Sequence, residues 1–152
     1  MRANEDEALS VTVLLVDTPP HLDKSALEAI RLADLILCPT KPDLLSLGAL
    51  ADTVALIDHA SAKQKTLAVI NDLPTAGKAR TAALETANVA LQRFGVRIAE
   101  QTISHRQAMV DAIGLGLGIT EKAPRNAASK EIEGLWAEIL ERTGAVQKEA
   151  AQ

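Results

Sequence analysis

Two periods of apolar and polar positions alternate along this chain. Residues 11–16 (VTVLLV), 35–38 (LILC) and 66–70 (TLAVI) are short, nearly continuous apolar runs bounded by turn residues. Such runs read as strands buried on both faces, the pattern of a parallel sheet covered by helices. Between them the apolar positions recur every three or four residues. Leu27, Ile30 and Ala33 predict a helix over 24–33, with Leu22 and Leu27 at hydrophobic-staple spacing. Leu47, Leu50, Val54 and Ile57 predict a second, capped by Asp43 and ending near His59, where an imidazolium suits the helix dipole. Ala83, Leu84, Ala87, Leu91 and Phe94 predict a third, closed by Gly95.

A fourth strand falls within 96–103. Ser104 and Gln107 stand at capping-box spacing, so a helix is expected from His105 to Gly114. The stretch GLGLG (114–118) follows a helix rather than joining a strand to one. It fails the dinucleotide fingerprint and reads as a cap plus a flexible turn. A last helix is predicted over 127–142, with Ala128, Ile132, Leu135, Trp136, Ile139 and Leu140 inward. Residues 1–10 read as a polar lead-in and 143–152 as a flexible tail. The expected fold is α/β: a mostly parallel sheet of about four strands with flanking helices, one domain over 11–142.

Strand ends carry the candidate chemistry. Asp17 and Thr18 follow the first run, and Asn71 and Asp72 follow the third. In a parallel sheet both pairs lie on the carboxyl edge, where open α/β folds bind ligands. Each pair equally suits an ordinary turn, since Pro19, Pro20 and Pro74 are adjacent. Composition narrows the field. The 152 residues are 47% apolar with a formal net charge of −4, which suits a globular chain with a sizeable core and argues against a strongly basic nucleic-acid footprint. Phe94 and Trp136 are the only aromatics, so base-stacking platforms are not expected. Cys38 is the single cysteine, which excludes a disulfide framework and reads as a core residue. His21, His59 and His105 show no metal-ligand spacing, and no G-x-S-x-G elbow is present. The acidic N-terminus resembles no targeting peptide, and no apolar run approaches a membrane span, so a cytoplasmic protein is expected.

Several phrases, in order, resemble the ParA/MinD family of partitioning ATPases, plasmid-type ParA above all. The run ending in Asp-Thr-Pro-Pro (17–20) is similar to the family's Walker B segment, and ADLILCPTKPDLLSLGAL (33–50) to its next strand and helix. VINDLP (69–74) resembles the strand end where many members set an asparagine against adenine. ISHRQAMVDAIGLGLGITE (103–121) and KAPRNAASKEIEGLWAEIL (122–140) resemble the late segments around the nucleotide. The resemblance implies ATP and Mg2+ as cofactors. Asp17 would stand on the magnesium shell, Thr18 and Pro19 in the switch that follows, Asn71 and Asp72 at the adenine, and Pro124 lining the base. It also implies ATP-gated dimerisation, a centromere-binding ParB-like partner and sequence-independent DNA association on the nucleoid. Arg106, Lys122, Arg125 and Lys130 are DNA candidates by position, although Glu121, Glu131 and Glu133 nearby favour a solvated helix face. Membrane attachment as in MinD needs bulky apolar residues that VQKEAAQ lacks.

One departure is large. The phosphate-loop pattern G-x-x-x-x-G-K-[ST] has no match, and the only Gly-Lys pair, Gly77–Lys78, precedes alanine. Phosphoryl transfer depends on positioning and neutralising the phosphates, so hydrolysis by this chain alone is not expected. Two functions therefore stand at the sequence level. The chain is either a ParA-like partitioning ATPase domain whose phosphate loop comes from elsewhere, or a non-catalytic remnant that pairs with a full-length relative.

Overall fold

The computed structural model describes residues 13–18 and 24–145. Helix α1 (Lys24–Leu32) leads into β1 (Ile36–Thr40), then α2 (Leu44–His59), β2 (Thr66–Ile70), α3 (Gly77–Phe94) and β3 (Arg97–Ile98). Three helices follow: α4 (Gln107–Gly114), the single turn α5 (Ile119–Lys122) and α6 (Ala127–Thr143). The strands pair in parallel in the order β1-β2-β3, with Cys38 beside Ala68 and Ala68 beside Ile98. The α/β class, the parallel pairing and the flanking helices are as the periodicity predicts.

Strand β2 is the centre. All five of its residues are buried. Their alternation divides the core in two. Ala68 and Ile70 join Cys38 on the face covered by Ile30, Leu47, Leu50, Val54, Ile57, Ala87 and Leu91 of α1, α2 and α3. Leu67 and Val69 join Leu37 on the other, against Met109 of α4 and Ile132 and Leu135 of α6. Fully burying one such side chain contributes about 1.5–3 kcal/mol. Helix covers on both sides are what convert a continuous apolar run into a strand instead of an exposed liability.

Helix ends follow local chemistry. Asp43 Oδ1 accepts the Leu45 and Ser46 N–H groups at 3.0 and 2.9 Å and starts α2. Asn126 accepts Ala128 N–H at 2.9 Å and starts α6. Gly95 and Gly144 close α3 and α6 at φ +67°, a left-handed turn that costs a residue with a Cβ more than glycine. Lys65 Nζ donates to Arg31 O and Ala33 O at 2.9 and 2.6 Å, so a cation answers the orphan carbonyls at the end of α1.

Four expectations need correction. The sheet has three strands among the described residues, not about four. Residues 13–18 form no strand, and Leu14, Leu15 and Val16 are 78%, 70% and 64% exposed. Apolar composition favours a strand, but a strand exists only where a neighbour supplies its ladder, and no described strand pairs with this run. Second, Ser104 does not cap a helix at His105: α4 starts at Gln107, because Glu131 takes both the Ser104 N–H and its hydroxyl. Third, GLGLG is the expected cap plus turn, but it leads into a short helix, α5, that the periodicity does not show. Gly114 ends α4, and Gly118 caps α5 with its N–H donated to Glu121. Fourth, the expected tail over 143–152 starts too early: Thr143 ends α6 and Ala145 is buried, while residues 146–152 and the lead-in over 1–10 lie outside the described residues.

The two-faced core makes a direct prediction. Leu91→Ala, at a fully buried site, should cost about 2–5 kcal/mol in urea unfolding. Leu45→Ala, at an 88% exposed position of α2, should change stability by about 0.5 kcal/mol or less.

Candidate functional site at the carboxyl edge

The loops leaving the three strands meet at one edge. Asn71 N–H donates to Thr40 O at 2.8 Å, one residue beyond β2, so β1 and β2 end level. After β3 the chain runs on alongside β2. Ile103 N–H donates to Ile70 O, Leu73 N–H to Ile103 O and His105 N–H to Leu73 O, at 2.8–3.1 Å, and Leu73 and Ser104 form a parallel bridge. The ladder is interrupted between Ile70 and Leu73. There Asp72 takes φ +60°, a left-handed conformation rare outside glycine and best tolerated by Asn and Asp.

This kink delivers the Asp72 carboxylate to a lysine and a histidine from the neighbouring loops. Lys41 Nζ, just past β1, donates to Oδ2 at 2.9 Å. His105 Nδ1 lies 2.5 Å from Oδ1. Hydrogen bonds from Lys41 and then His105 hold the Asp72 carboxyl below the usual aspartate range. The same contact raises the Lys41 ammonium. A carboxylate on Nδ1 fixes the ring orientation and directs Nε2 away from Asp72. Asp72 is 32% exposed and His105 65%, so the cluster lies open to solvent. Strain at a strand tip beside a charged cluster is a recurrent mark of ligand sites.

Behind it the return segment is fixed from two sides. Arg80 of α3 donates through Nη1 to Pro74 O and Ser104 Oγ, at 3.0 and 3.3 Å, and through Nη2 to Thr102 Oγ1 at 3.2 Å. From α6, Glu131 accepts Ser104 N–H and Oγ, each at 2.9 Å, and Arg106 Nη2 at 2.7 Å. Burial raises the Glu131 carboxyl, but the hydrogen bonds from Arg106 and Ser104 outweigh it and the net shift is downward.

The structure distributes the expected site residues unevenly. Asn71 is exposed on this edge beside Asp72. Asp17 and Thr18 are exposed on the unpaired run, and Pro19 lies outside the described residues. Pro124 is exposed in an open depression with Ala123, Arg125 and Asn126. Of the DNA candidates, Arg106 is held by Glu131, Lys122 lies 3.9 Å from Asp111, and Arg125 and Lys130 are exposed. Cys38 is buried, which pushes its thiol up to about 11. Among the described residues no group of three or more His, Cys, Asp or Glu side chains is placed to hold a metal ion.

Spacing in sequence hides the Lys41–Asp72–His105 cluster, whose members are some thirty residues apart. Topology reveals it: each residue follows a parallel strand, so all three must reach the same edge. The lone histidine acquires a partner only once the strands are in register.

Acid should loosen this edge. A carboxyl whose folded pKa is depressed stabilises the fold fully above its ordinary range, about pH 4.3 for glutamate, and that stability is lost as pH falls through the folded value. Glu131→Gln should cost about 1–3 kcal/mol at neutral pH and flatten the fall in melting temperature below about pH 4.3. An unchanged acid slope would contradict the assignment. No protein-family model matches the chain, and comparison with curated proteins finds no relative.

Proposed function

We propose that this chain is a ParA/MinD-like partitioning component whose sheet edge takes the adenine side of ATP and which does not hydrolyse ATP by itself. The observation that carries the reading is the carboxyl edge. A three-stranded parallel sheet ends β2 on exposed Asn71, and the next residue is kinked and tied to both neighbouring loops. Open α/β sheets bind ligands at this edge. An exposed carboxamide there offers both a donor and an acceptor, the pair that an adenine edge requires. Asp72 and Pro124 would flank the base.

The phosphate side fits poorly. The sequence contains no phosphate loop, and no group of three or more His, Cys, Asp or Glu side chains among the described residues is placed to hold a metal ion. No hydrolytic step is derived for this chain. Under this reading Mg2+, dimerisation, the ParB-like partner and DNA contact through Arg125 and Lys122 all depend on a phosphate loop supplied by sequence outside the 152 residues. Its place of action is the cytoplasm and nucleoid. Among the described residues no helix is long and apolar enough to cross a membrane.

A second reading, a non-catalytic module that pairs with a full-length relative, draws on a different observation. Leu14, Leu15 and Val16 are strongly exposed in a run with strand-like composition, and β1 has no strand on its outer side among the described residues. Unpaired strand edges beside apolar segments favour association.

Calorimetric titration with Mg-ATP separates the two. The nucleotide reading expects measurable binding, weakened at least about tenfold by Asn71→Ala, the loss of one or two good hydrogen bonds, with no phosphate release. Absence of binding by the folded chain would overturn it and leave the interaction module. Phosphate release that survives Lys78→Ala and vanishes with Asp17→Ala would show that the chain completes an ATPase site unaided.

A further inference from the structure

The opposite edge of the sheet holds a cavity that the nucleotide reading does not use. It has a volume of about 210 Å3 and lies at the amino ends of all three strands. Leu35 and Thr66 form part of its wall, and Lys65, Arg97 and Arg142 bring three cations to it from three separate elements. Asp34 is the one acid in the lining. In a chain of net charge −4 this is a local reversal of sign.

What holds each cation decides how much charge remains. Lys65 is anchored by two carbonyls, Arg31 O and Ala33 O, at the end of α1. Arg97 Nη2 is anchored by Gln64 O at 2.5 Å. Carbonyls fix these groups without neutralising their charge, although the end of α1 attenuates that of Lys65. Arg142 is the exception: its Nε and Nη2 donate to Glu138 Oε1 at 2.9 and 2.8 Å, and Glu138 Oε2 accepts the Glu100 and Gln101 N–H groups. The pair therefore contributes a fixed Nη1 donor and little net charge. Guanidinium presents five N–H donors, so Arg97 keeps most of its fork free. With Asp34 counted, the cavity retains a single positive excess, carried mainly by a preorganised arginine.

We propose that this cavity binds a phosphate group, free or carried on a small metabolite, with Arg97 as the principal ligand and Arg142 Nη1 and Lys65 Nζ as supporting donors. Arginine forks match the oxygens of such an anion, and prior anchoring reduces the ordering cost of binding. At about 30 Å3 per water, the space accommodates a phosphate and several waters. Asp34 sets the limit on affinity by opposing the anion.

Backbone amide NMR of the whole chain tests this, with inorganic phosphate and glycerol phosphate titrated separately at constant ionic strength and sodium chloride as the control. Saturable shifts centred on Leu35, Thr66, Leu67 and Arg97 are expected. Arg97→Gln should weaken binding about tenfold, the loss of a charge-assisted contact, while Asp34→Asn should tighten it. Lys41→Gln, on the other edge, should leave it unchanged. Tighter binding of the ester than of the free ion would identify a metabolite site, and equal binding a site for the free ion. Shifts that do not saturate, that chloride reproduces, or that Arg97→Gln leaves in place would overturn the proposal. Should Arg97→Gln fail to fold, an unchanged affinity in Asp34→Asn refutes it instead.

Discussion

Everything in this structure depends on β2 having neighbours on four sides. Its backbone is laddered to β1 and β3, and its side chains are taken up alternately by α2 and α3 on one face and by α4 and α6 on the other. A strand with no polar residue except its first can only be placed where water reaches neither its amides nor its side chains. Once that position is filled, parallel pairing sends all three strand exits to one edge. The meeting of Lys41, Asp72 and His105 is a consequence of topology before it is a matter of side-chain chemistry.

The two edges then acquire different characters. At the carboxyl edge an acid stands in the middle, with Lys41 and His105 reaching in from the neighbouring loops and a kinked backbone beneath it. At the amino edge carbonyls of helix and strand ends hold cations around a cavity. Parallel α/β architecture imposes this polarity, because helix amino ends gather near one edge and helix carboxyl ends near the other. Glu131 and Glu138, both on α6, fasten the segment after β3 by accepting its N–H groups. The last helix thus fixes the loops as well as covering the sheet.

Much of this was legible in the chain. Leu47, Leu50, Val54 and Ile57 state the buried face of α2, Asp43 its start, and TLAVI the bounds of β2, because each signal is local and nothing distant competes with it. Ser104 failed as a cap because Glu131, 27 residues away, offers a charged acceptor that local spacing cannot reveal. The run at 13–16 failed for the converse reason: its composition is that of a strand, but pairing belongs to the neighbour and not to the run. Asn71 and Asp72 were visible as polar residues at a strand tip. His105 joined them only through register, and the left-handed turn at Asp72 leaves no sequence signature beyond Asp itself.

Amide hydrogen exchange of the whole chain tests the central claim most directly, since protection reports which strands are laddered. The account predicts the slowest exchange at Leu67–Ile70 and neighbouring β1 amides, with Leu14, Leu15 and Val16 exchanging as unpaired chain. Protection of Leu14 to Val16 equal to that of β2 would show a fourth strand in the sheet and would contradict the three-stranded arrangement on which both edges are built.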